Sequence, residues 1–188
     1  MDRVTRGYEK RARAQHEQAT RLRIVEAAIE LHQELGPDRT SMADVAGRAG
    51  IGRATVYRHF QDLDELGWAC SGLYFERHPL PDYERWRAVP GGPARLQVAL
   101  REAYAYHRST EPMMTRILGL YRDDEAMLPY SAHWKAATDL VVAGYERGGR
   151  LRRAAVGHAL SFDCWRSLVR DHGLSDEEAA AVAGGNVI

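Results

Sequence analysis

Within seven residues, Arg53-Ala54-Thr55-Val56-Tyr57-Arg58-His59, the chain gathers two guanidinium groups, a threonine hydroxyl, a phenol and an imidazole. Arginine can grip a guanine edge with paired hydrogen bonds. Threonine can meet a thymine methyl or a phosphate, and tyrosine and histidine can reach phosphate oxygens. This is chemistry for reading a nucleic acid rather than transforming a substrate. No G-x-S-x-G, H-E-x-x-H, glycine phosphate loop or paired cysteine motif occurs, so neither an enzyme nor a cofactor is expected. His133, His158 and His172 lack a ligand spacing, which leaves a metal site without support.

Positioning these groups needs a short helix offered to solvent, and the flanking residues supply one. Ser41 with Asp44 three residues on makes a capping box, and Val45, Ala46 and Ala49 give the helix that follows a small apolar face. Gly50 ends it in a tight turn, with Ile51 plugging the crossing point. A second helix runs from about Gly52 to Phe60. Val56 and Phe60 face inward, leaving Arg53, Ala54, Thr55, Tyr57, Arg58 and His59 on or near the surface. Upstream, Ile24, Ala28, Leu31 and Leu35 recur at helical spacing before Gly36 and Pro37 and form the third wall of a small core.

On these residues the stretch 20–67 resembles the DNA-binding domain of the TetR family of bacterial transcriptional regulators. The match is carried by Ile24, Ala27, Ala28, Leu31, Gly36, Thr40, Val45, Ala46, Ala49, Gly50, Ile51, Thr55, Val56, Tyr57, His59, Phe60 and Leu66. Departures are Leu63, where the family usually has a phosphate-binding lysine, Gly52 in place of a serine cap, and His32 at a position often aromatic. His32 is read as core filling. The fold class is all-α, with a helix-turn-helix domain followed by a larger helical domain. The expected divisions are a basic N-terminal arm at 1–19, the DNA-binding domain at 20–61, and an effector-binding and dimerisation domain at 62–188.

Charge follows the same division. The chain of 188 residues is neutral overall, but residues 1–60 hold 11 Lys and Arg against 8 Asp and Glu, and the remainder 15 against 18. The segment with Arg3, Arg6, Lys10, Arg11 and Arg13 shows little apolar periodicity and reads either as a disordered arm or as one that settles onto DNA. No run of 18 apolar residues and no apolar leader segment occurs, so a cytoplasmic protein with no membrane role is expected. Cys70 and Cys164 are read as buried free thiols.

Beyond Asp62 the sequence predicts helices throughout: 62–77, Pro93 to about Arg108, Pro112 to about Tyr121, Pro129 to about Arg147, Leu151 to about His172, and Ser175 to the terminus. The segment 151–172 is apolar on two sides, and the last helix is rich in alanine. Together they predict a two-fold homodimer interface over about 151–188, where the family also usually dimerises. Leu73, Tyr74, Met114, Ile117, Tyr121, Trp134, Phe162 and Trp165 are the candidate lining of an apolar cavity for a small hydrophobic or aromatic effector. Two recognition helices about 34 Å apart would read a palindromic double-stranded operator, with Arg53 and Arg58 on bases and Ser41, Thr55, Tyr57 and His59 on phosphates. The resemblance implies a repressor released when effector tilts the 62–77 helix. The alternative is a DNA-binding protein without an effector.

Overall fold

The computed structural model describes residues 2–147, 149–185 and 187, with side chains from residue 9 onward. All regular structure among these is helical, and the chain divides into two compact units at Arg77/His78.

The N-terminal unit opens with α1, Asp2–Glu34. The segment expected to be a separate arm is the first half of this helix. Residues 9–19 are solvent-exposed on all sides, and burial begins only at Thr20. Absence of an apolar stripe does not prevent this, because extending an already nucleated helix is cheap when the residues are Ala, Arg, Gln, Glu and Lys. Arg13 and Glu17 add a pairing one turn apart, at 3.6 Å. Three shorter helices follow: α2, Met42–Ala49; α3, Arg53–His59; and α4, Leu63–Arg77. Ile24, Ala28, Val45, Val56, Phe60 and Leu66 are almost wholly enclosed and form the shared core.

The boundary falls sixteen residues later than the expected one after residue 61, because α4 is tied to α1. The Cys70 thiol points at the Val25 carbonyl, 3.8 Å away, and Arg77 pairs with Glu26. Arg48 on α2 bridges Glu34 and Glu30 on α1, so three of the four helices are cross-linked by charge as well as by burial.

The C-terminal unit is built on α5, Pro93–Ile117, with α6, Leu128–Val142, α7, Arg150–Ala159, α8, Phe162–Arg166, and α9, Asp176–Gly185. Two of its features depart from the sequence reading. Pro112 does not break the helix: α5 passes through it as a single element with Pro112 on the exposed side. A buried stripe of Leu100, Tyr104, His107, Thr110, Met113 and Met114 lies on both sides of the proline and outweighs the lost backbone bond.

The expected single helix over 151–172 is instead broken at Leu160-Ser161. Ser161 adopts an extended backbone and caps α8 by accepting from the Cys164 N–H at 3.2 Å. The two carbonyls at the end of α7 bond to side chains of α5: Tyr104 donates to Ala159 at 2.9 Å, and His107 to Leu160 at 2.9 Å. After α8 the chain winds on as a π turn over Ser167–Asp171. Separately, α6 stops at Val142, short of Arg147, because Gly144 lies directly on the Gly91 backbone. A Cβ on Gly144 would meet the Gly91 Cα at 2.8 Å.

The capping box expected at Ser175 and Glu178 is present, and α9 packs along α5. Its Ala179, Ala180 and Ala183 are buried there, within their own chain. The small-residue face read as a dimer surface is therefore already covered. What α8, the π turn and α9 leave outward includes half-buried Leu168 and exposed Ala181 and Val182.

Candidate nucleic-acid interface and interior ligand site

The reading surface follows from local geometry. The Ser41 hydroxyl accepts from the Asp44 N–H at 3.2 Å, and the Asp44 carboxylate accepts from the Ser41 N–H at 2.9 Å, which fixes where α2 starts. Hydrogen bonding from Ser41 holds the Asp44 carboxyl below its ordinary range, and Arg53 nearby adds to this. Gly50 sits in the left-handed region at φ 64°, ψ 38°, and the Ile51 N–H returns to the Ala46 carbonyl at 3.0 Å. Only this backbone turns the chain sharply enough for α3 to cross α2, and glycine adopts it without a Cβ penalty.

On α3, Val56 and the following Phe60 are fully buried, so the opposite side must face out. Arg53, Ala54, Tyr57 and Arg58 are exposed, Tyr57 at 54%. Thr55 is half-buried. His59 is also half-buried with its Nε2 enclosed, which leaves it less available than the sequence suggested. Ser41 lies exposed at the start of α2 with its hydroxyl engaged in the cap. Sequence reasoning missed Arg21, whose guanidinium lies 4.4 Å from the Phe60 ring and adds an exposed cation beside the end of α3. Its position on α1 becomes visible only when α1 and α3 are packed.

In the C-terminal unit, three predicted residues converge. Trp134, Phe162 and Trp165 surround the imidazole of His107, with ring centres 5.0, 5.7 and 6.0 Å away. Tyr104 and Tyr106 complete the group at 6.3 and 5.9 Å. His107, Tyr104 and Tyr106 were not singled out from sequence, although 104 and 107 fall on the same face as Leu100 and Met114. Met114 is buried on α5, and Ile117 and Tyr121 are half-buried at its C-terminal end and in the turn beyond. Leu73 and Tyr74 belong to α4 in the other unit, where burial raises the Tyr74 phenol to about 12 against a hydrogen bond from Gln33. An open groove of about 450 Å³ runs between α6 and α7, with Trp134, Ala154 and Gly157 as apolar wall and Lys135, Arg150 and Arg153 as basic rim. Arg153 is paired with Asp139.

Burial lowers the His107 pKa from 6.5 to about 4, so the ring is neutral near pH 7. A lowered folded value means that this contribution to stability is complete above 6.5 and is lost as pH falls from 6.5 towards 4. Unfolding followed by tryptophan fluorescence should show stability of the C-terminal unit falling by up to about 1.4 kcal/mol per pH unit in that window. That is the share of His107; burial lowers the His133 pKa in the same unit from 6.5 to about 4 as well, so the slope should lessen in His107→Leu rather than vanish. Asp176 acts at lower pH: burial alone would raise it, but hydrogen bonds from Arg108 and Trp165 outweigh this and depress it below 3.8.

Comparison with known proteins agrees with this geometry. Residues 24–67 match the family described as bacterial regulatory proteins, tetR family. That range spans the buried part of α1 through the first turn of α4. A TetR/AcrR-family transcriptional regulator from Thermobifida fusca superposes with a TM-score of 0.58 at 20% identity, over 89% of this chain and 95% of that one. FadR from Bacillus subtilis, solved with stearoyl-CoA, gives 0.57 at 15% identity over 88% and 95%. NalD, the secondary repressor of the MexAB-OprM multidrug efflux pump in Pseudomonas aeruginosa, gives 0.57 at 19% identity over 92% and 95%. At these identities the likeness is one of fold. Among the described residues no helix is long and apolar enough to cross a membrane, and no group of three or more His, Cys, Asp or Glu could hold a metal.

Proposed function

For a chain that belongs to the tetR family of bacterial transcriptional regulators, we propose the working cycle of a homodimeric repressor that leaves a palindromic operator when a small apolar molecule enters its C-terminal unit. One observation carries the DNA-reading part: a capped α2, a left-handed Gly50 and an α3 whose Arg53, Tyr57 and Arg58 point to solvent while Val56 and Phe60 anchor it from behind. Arg53, Tyr57 and Arg58 are exposed on that outward face, as expected of a surface available to another molecule.

A single α3 has seven residues and touches few bases, so two copies are needed for specificity. Leu168, Ala181 and Val182 supply the remaining apolar surface for a second copy, in place of the alanines that α9 spends on α5. The aromatic cluster around His107 supports an apolar ligand. The signal would pass through α4, the last helix of the N-terminal unit, which leads directly into the ligand-bearing part of the chain.

Footprinting on the DNA upstream of the gene should protect two half-sites about one helical turn apart. A monomer that ignores every duplex at low salt would refute the reading. Arg53→Ala should weaken operator binding by about 1 to 3 kcal/mol and relax preference at one base position, read by a fluorescence anisotropy series of single-base operator variants. Uniform weakening across all variants would make Arg53 a phosphate contact instead.

A further inference from the structure

We propose that His107 is the polar recognition point of the effector site. The effector is then a mostly apolar, uncharged molecule whose single hydroxyl or N–H donates a hydrogen bond to the His107 Nδ1. This rests on the effector reading above and gives the ligand a chemical class.

His107 is 0% exposed on α5. Its Nε2 lies 2.9 Å from the Leu160 carbonyl oxygen, which can only accept, so Nε2 carries the ring proton. The other nitrogen, Nδ1, is then a bare lone pair. It is enclosed and has no hydrogen-bond partner among the described residues. Five aromatic rings stand around the imidazole, with centres between 5.0 and 6.3 Å away. An enclosed acceptor without a donor is costly, because water has been removed from it and no described residue replaces that water.

An incoming molecule with a donor satisfies Nδ1 and stacks on the rings at once. A molecule of the same shape without a donor gains only the stacking. A carboxylate at that point offers only further lone pairs, and the burial that keeps the imidazole neutral opposes the imidazolium that would welcome it. A purely structural histidine needs only the Leu160 bond, which explains Nε2 and leaves Nδ1 unexplained. The approach from solvent is marked by Trp134, which belongs to both environments: it stands 5.0 Å from His107 and also forms a wall of the groove between α6 and α7.

The test uses three probes of one shape on the full-length protein: 4-ethylphenol, 4-ethyltoluene and 4-ethylbenzoate. Tryptophan fluorescence titration should give a dissociation constant at least tenfold lower for the phenol than for the toluene, with the benzoate weakest. Binding of the phenol should also move the ¹⁵N resonance of His107 Nδ1 towards its hydrogen-bonded value, which stacking alone does not do. In His107→Phe, which keeps the volume and removes the acceptor, the preference for phenol should shrink to within about twofold. Should that variant fail to fold, the wild-type affinity ratio and the ¹⁵N shift still decide the matter. Equal affinity for phenol and toluene with an unmoved Nδ1 resonance overturns the proposal and points to an internal water as the donor. If both probes then still release operator DNA, the effector reading survives without His107. If no probe binds at millimolar concentration, the proposal also falls, and release of operator by any other compound tests the effector reading separately.

Discussion

Phe60→Ala is expected to destabilise the N-terminal unit by about 3 to 5 kcal/mol and to abolish operator binding with it. The ring is fully enclosed at the end of α3 and carries the Arg21 guanidinium on one face, so its loss leaves a cavity in the shared core. Its backbone N–H closes the last turn of α3 on the Val56 carbonyl at 2.9 Å, so the same residue ends the helix and anchors it. The measurement is urea unfolding monitored by circular dichroism, beside operator titration. Tyr57→Ala is the control: at 54% exposure it should leave the midpoint nearly unchanged while weakening DNA binding. A Phe60→Ala protein with wild-type stability would mean that α3 is held by something other than its inner face.

Trp165→Ala should cost the C-terminal unit a similar amount, about 3 to 5 kcal/mol, by a different route. The indole is fully buried, packs 5.5 Å from Phe162 between ring centres, and donates from Nε1 to Asp176 at 2.8 Å. Arg108 on α5 grips the same carboxylate and lies 5.7 Å from the indole centre. One side chain thus joins α8, α9 and α5. Loss of the indole removes packing and also takes away one of the hydrogen bonds that offset the burial of Asp176. Trp165→Phe retains most of the volume and should recover over half of the loss; no recovery would show that the indole N–H outweighs the ring. Both are read from thermal unfolding in near-ultraviolet circular dichroism.

The two units differ in how much of them could be read from residue order. In the N-terminal unit the decisive instructions are local: the Ser41–Asp44 reciprocal cap, the left-handed glycine, and the spacing of Val56 and Phe60 all act within a few residues. Arg21 escaped notice because its role depends on an α1–α3 contact. The segment 9–19 looked unstructured because its polarity was weighed without the helix it continues.

In the C-terminal unit the decisive interactions are distant in sequence. Pro112 looks like a break until the buried stripe on both sides of it is known. Ser161 looks like one more residue of a long helix until Tyr104 and His107, more than fifty positions earlier, are seen to hold the carbonyls before it. The alanines of α9 signal close approach correctly, but composition does not say whether the neighbour is another molecule or the same one. Trp134, Phe162 and Trp165 were legible as a group because large aromatics gather wherever apolar space must be filled. The histidine at their centre was not, although it shares a helix face with Leu100 and Met114, because an ionisable side chain is ordinarily assigned to the surface.

His107 has a second duty, since the proton on its far side secures the kink between α7 and α8. Changing this residue to retarget the protein towards another compound would therefore loosen the scaffold on which the aromatic cluster is built. Retuning should start from Trp134, which stands beside His107 and walls the groove between α6 and α7 without bonding to that corner of the backbone.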